Sequence, residues 1–224
     1  MTPHRTILWL TVYAIAMANV EAVIVVHLRI LYYPVDPTVI FPLVLLSQRD
    51  LLIEIVRELA TLVMILGVAA LAARKLMGIF AAFVYVFGVW DIFYYIWLKL
   101  MIGWPIAWLE WDLLFLIPWP WLGPWMTAAL VALQFTLWGG WVLARAADTA
   151  LCWRPLLLFS GGALLVLVSF LAPALPLLTG GEDMLHTLQP AGFLWAAYIP
   201  GYLLMIVGLW HIANPRMNPS AITD

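Results

Sequence analysis

Six carboxylates stand where a strongly apolar chain should carry none. Glu21, Glu54, Glu58 and Asp91 lie within long hydrophobic runs, and Glu110 and Asp112 interrupt the stretch WPIAWLEWDLLFLIPWPWLGPW, Trp104 to Trp125. A carboxylate removed from water holds a proton, works as a general acid or base, or binds a cation. The spacing favours a shared site. Asp50, Glu54, Arg57, Glu58 and Thr61 follow i, i+3, i+4 steps and predict one polar stripe on a helix, while Asp91, Tyr95 and Lys99 do the same further on. With Asn19 and Glu21 these stripes can converge on a buried chamber. Glu54, Glu58, Asp91, Glu21 and Tyr95 are the catalytic or proton-binding candidates, with Arg57, Lys99 and Arg29 as charge partners.

Charge balance bounds that chemistry. Glu21, Asp36, Asp50, Glu54, Glu58, Asp91, Glu110 and Asp112 meet only Arg29, Arg49, Arg57 and Lys99. If most are buried, repulsion demands bound protons or a bound cation. A hard divalent metal is the cofactor that Glu21, His27, Glu54, Glu58 and Asp91 could hold. The paired Glu-x-x-His motifs of di-iron bundles are absent, which disfavours that chemistry. Haem is disfavoured too, because His27 and His186 are the only histidines expected on the relevant side and His211 lies at the other end. There is no Gly-rich phosphate loop, Cys-x-x-Cys or zinc-protease motif. Cys152 is the single cysteine, so no intrachain disulfide can form.

The elements that must position these groups are membrane helices. The 224 residues are 66% hydrophobic and only 10% charged, and a mean hydropathy of +1.04 leaves too little polar surface to cover a soluble domain. Six windows reach the roughly 20 apolar residues that cross a bilayer, at about 7–28, 51–73, 77–99, 124–145, 155–178 and 190–212. The fold class is an all-α polytopic integral membrane bundle of six transmembrane helices. The first window continues through VEAVIVV, as suits a retained span better than a cleaved signal. Arg5, Arg74, Lys75, Arg145, Arg154 and Arg216 fall on one side, six of the ten basic residues, which predicts an N-in, C-in topology. The six carboxylates then lie at the outer side.

Six of the fourteen tryptophans fall between Trp104 and Trp125, and tryptophan favours the headgroup level. Pro105, Pro118, Pro120 and Pro124 forbid one continuous helix there. An aromatic, proline-rich outer hairpin between helices three and four is therefore expected, with Glu110 and Asp112 closing the chamber from above. The segment 32–50 is too apolar for a solvated linker and is expected to lie along the same surface. No linker divides the chain, so residues 1–224 read as one transmembrane domain, with 1–123 the polar, functional half and 124–224 an apolar scaffold marked by Gln134 and the IPGY kink.

The blocks FGVWDIFYYIWLK and WDLLFLIPWPWLGP, together with Arg57-Glu58-Leu59, Thr61 and Val63-Met64, resemble those of an uncharacterised family of bacterial polytopic membrane proteins over about residues 50–125. The resemblance implies a multi-pass protein of a bacterial cytoplasmic membrane and no particular activity. Three function classes remain. They are an outward-facing chamber that binds a cation or protons, with or without enzymatic action on a lipid-like or apolar substrate; an accessory subunit held by a structural charge network; and a proton- or cation-coupled transporter. The expected partners are the lipid bilayer and other membrane subunits, and the absence of a basic tract argues against nucleic acid.

Overall fold

A computed structural model describes residues 2–41, 43–44, 46–145, 153–177 and 192–213. Cys152, Gly181, His186 and Arg216 lie outside the described residues. Six helices are long and apolar enough to cross a membrane. They are α1 (Pro3–Tyr32), α2 (Gln48–Ala72), α3 (Leu76–Ile102), α4 (Trp125–Arg145), α5 (Trp153–Leu171) and α6 (Trp195–Ala213), and strands β1 (Trp111–Phe115) and β2 (Trp121–Pro124) form a hairpin between α3 and α4.

Local chemistry sets the helix ends. Pro3 opens α1 at a position where its missing N–H costs nothing. Ser47 caps α2: its hydroxyl accepts from the Asp50 N–H at 3.1 Å and donates to the Asp50 carboxylate at 2.7 Å. At the end of α3, Gly103 takes a left-handed conformation with φ 72°, which glycine adopts without a Cβ penalty. The fifth expected window stops early, since α5 gives way to a short 3-10 turn, Ala172–Ala174, where Pro173 cannot donate.

Helix α3 is the hub. Half of its most apolar window is buried (50%), against 22% to 33% in the other five spans. It packs on α1, α2 and α4, while α5 pairs chiefly with α6. Small residues permit the close crossings: a Cβ on Gly139 of α4 would sit 2.6 Å from the Ala81 carbonyl of α3, and one on Gly201 of α6 would sit 2.8 Å from the Gly162 carbonyl of α5. In a bilayer such backbone approach, rather than hydrophobic exclusion, drives helix pairing.

The buried face of α2 is Glu54, Glu58, Thr61, Ile65 and Ala69. It is polar toward the hairpin end and apolar toward the other. The hairpin pairs antiparallel, Trp111 with Pro124, Asp112 with Gly123 and Leu113 with Leu122. Gly123 lets it rest on α5, since a Cβ there would meet the Phe170 ring at 2.9 Å. The segment after α1 packs over this hairpin, burying Leu43 with Leu122 and Ala174.

Candidate functional site

A cavity of about 130 Å³ lies between α1, α2, α3 and β1 at the hairpin end of the bundle. Its polar lining is Glu21 from α1, Glu54, Arg57, Glu58 and Thr61 from α2, and Asp91, Tyr94 and Tyr95 from α3. The β1 side contributes Leu113, Leu114, Phe115 and Leu116 as a lid. Helical periodicity explains the convergence, because each stripe presents one face and α3 touches both neighbours.

Arg57 is the one cation among these groups. It forms an ion pair with Glu21 and donates from Nε to Glu54 at 2.7 Å, and Thr61 donates to the second Glu21 oxygen at 3.4 Å. These contacts tie α1 to α2, which otherwise make little direct contact. Glu58 takes a different partner. Both its oxygens accept the Leu116 N–H at 3.0 Å, anchoring the lid to α2. Asp91 lines the same cavity, and no donor among the described residues reaches its carboxyl. The indole N–H of Trp90, also in the wall, is buried and has no partner among the described residues.

Asp112 belongs to a second, adjoining network. At 2% exposure it accepts from Arg29 Nη2 at 3.1 Å, from the Tyr95 hydroxyl at 3.2 Å and from the Leu113 N–H at 3.0 Å. Arg29 is itself buried and stacks over the Trp104 ring, 4.0 Å from its centroid. Burial pushes the Asp112 carboxyl up to about 6, with the Arg29 charge pulling the other way.

Several expected roles are not the ones observed. Lys99 does not meet the acids; its ammonium donates to the carbonyls of Gly103 and Pro105 at 2.9 and 2.8 Å, satisfying the open end of α3. Glu110 does not close the cavity. Its carboxylate accepts the N–H groups of Ile106 and Ala107 and so holds its own turn together. Asp112 does not close the cavity either: its buried carboxylate, on β1, is held by Arg29 in the adjoining network. His27 is exposed, with Nδ1 against the Val23 carbonyl at 2.7 Å, and does not line the cavity with Glu21, Glu54, Glu58 and Asp91. Among the described residues no three His, Cys, Asp or Glu side chains form a group that could hold a metal ion. His211 lies in the last turn of α6. Asp50 and Asn19 are also absent from the cavity wall.

Sequence reasoning missed Tyr94, Trp90 and the Leu116 amide. Tyr94 stands three residues after Asp91, so the helical step that selected Tyr95 selects it too. The Leu116 N–H carries no side-chain signal. The alternation in Trp111-Asp112-Leu113 was a legible cue to a strand that turns Asp112 inward. Set against family models, curated proteins and solved structures, the chain matches none, and what the fold and site establish is a multi-pass membrane protein with buried carboxylates at the hairpin end.

Proposed function

We propose that this is a multi-pass protein of a cell membrane, oriented N-in and C-in, whose outward-facing cavity binds protons on Glu58 and Asp91. The observation that carries the reading is the lining itself. Glu21, Glu54, Glu58 and Asp91 share about 130 Å³ with a single guanidinium, a surplus of three negative charges were all ionised. Two unit charges 4 Å apart repel by about 4 kcal/mol at an effective dielectric of 20. Such a surplus is relieved by protons or by a cation. Glu21 and Glu54 are committed to Arg57, and Glu58 to the Leu116 amide. Among the described residues Asp91 keeps both oxygens without a donor and Glu54 keeps one, too few for a hard cation, which takes six or more oxygens, so the donor set favours protons. The cavity also has room for several waters, each needing roughly 10–15 Å³ of such volume.

One observation favours a second reading, an accessory subunit in which the charges are structural: Arg57 bridges two helices that share little else. Proton counting separates the two. In nanodiscs, wild-type protein taken through a pH cycle should bind about one proton per chain more than Asp91→Asn, the amide keeping shape without a titrating group. Equal proton uptake by the two folded proteins refutes the proton site and leaves the structural network.

A further inference from the structure

A larger concavity, about 490 Å³, opens next to the cavity, within the size range of ligand pockets. Ile92, Ile96 and Leu100 form one ridge of α3 along it, and the turn Pro105–Trp108 with Trp125 of α4 forms the opposite wall. The turn is fixed by bonds already in place. Glu110 holds the Ile106 and Ala107 amides, the Trp125 indole donates to the Ala107 carbonyl at 2.8 Å, and Trp108 stacks on Trp125 with centroids 6.0 Å apart. Glu110 and Lys99, which the carboxylate cavity does not use, are therefore both parts of this groove.

The lining is apolar apart from Lys99 and the Tyr95 hydroxyl, which is turned to Asp112. The exposed Lys99 ammonium spends two of its three donors on the Gly103 and Pro105 carbonyls. A cation at one end of an apolar channel on a membrane helix, level with paired tryptophans, complements an amphipathic anion. We propose that the groove holds one anionic glycerophospholipid of the surrounding bilayer, an acyl chain along the Ile92, Ile96, Leu100 ridge and the phosphate on Lys99. The site goes beyond the proton reading and stands without it, since the two share only Tyr95.

The test is native mass spectrometry of the purified chain given equal amounts of phosphatidylglycerol and phosphatidylcholine. Wild type should retain one phosphatidylglycerol in preference, and Lys99→Gln should lose about fivefold of that preference while still retaining lipid. Ala129→Phe, which fills the groove and leaves the ammonium, should lower retention of both lipids. Equal retention of the two lipids by wild type, an undiminished preference in Lys99→Gln, or displacement by inorganic phosphate would overturn the proposal. If Lys99→Gln does not fold, Ala129→Phe decides: retention equal to wild type overturns it.

Discussion

Arg57→Gln is the substitution with the largest worked consequence. It leaves Glu21 and Glu54, whose side chains are 11% and 10% exposed, without their cation in a cavity that also holds Glu58 and Asp91. Removing one partner from a buried ion pair costs about 3–5 kcal/mol. Arg57 is itself 19% exposed and the cavity admits water, so the lower end applies, about 3 kcal/mol. Unfolding of the detergent-solubilised protein by added dodecyl sulfate, followed by circular dichroism, reads the loss. The double variant Glu21→Gln with Arg57→Gln should recover part of it, with a coupling of about 1–3 kcal/mol, because one stranded carboxylate is gone. A single variant within about 0.5 kcal/mol of wild type would refute the reasoning, since the acids would then need no guanidinium.

Three further outcomes are expected. Because burial holds the Asp112 carboxyl near 6 rather than at its ordinary 3.8, its contribution to stability is full below the ordinary value and lost as pH rises through about 6. At about 1.36 kcal/mol per unit this amounts to about 3 kcal/mol, and Asp112→Asn should flatten that part of the pH profile of unfolding. Gly139→Leu should destabilise by about 1–3 kcal/mol, because a Cβ there already meets the Ala81 carbonyl at 2.6 Å, whereas Gly67→Leu, with nothing within 4 Å, should unfold like wild type. Reporters should be cytoplasmic after Arg216 and extracytoplasmic near Gly181; the opposite pair of signals would invert the orientation.

Length and hydropathy made the six spans legible, because the bilayer imposes both. Their ends were less so. Helix α1 runs on to Tyr32 because Arg29 finds Asp112, a residue 83 positions away, and no local pattern announces such a partner. The stripe Glu54, Arg57, Glu58, Thr61 could be read from helical steps alone, as could Asp91 and Tyr95. Lys99 and Glu110 were misread for one shared reason. Each looks like a charge seeking an opposite charge, yet each satisfies backbone groups left open by a helix end or a turn, and those appear only once the chain reverses. Glu58 shows the same limit from the other side, its partner being the amide of Leu116.

The central claim is that carboxyls of the cavity carry protons in the folded protein. Infrared difference spectroscopy of the protein in nanodiscs, between acidic and alkaline pH, reads this directly through the carbonyl stretch of protonated carboxyls. The account predicts such a band in wild type, weakened in Asp91→Asn and again in Glu58→Gln, with helix content unchanged. A wild-type spectrum without it, or one that neither substitution alters, would contradict the account.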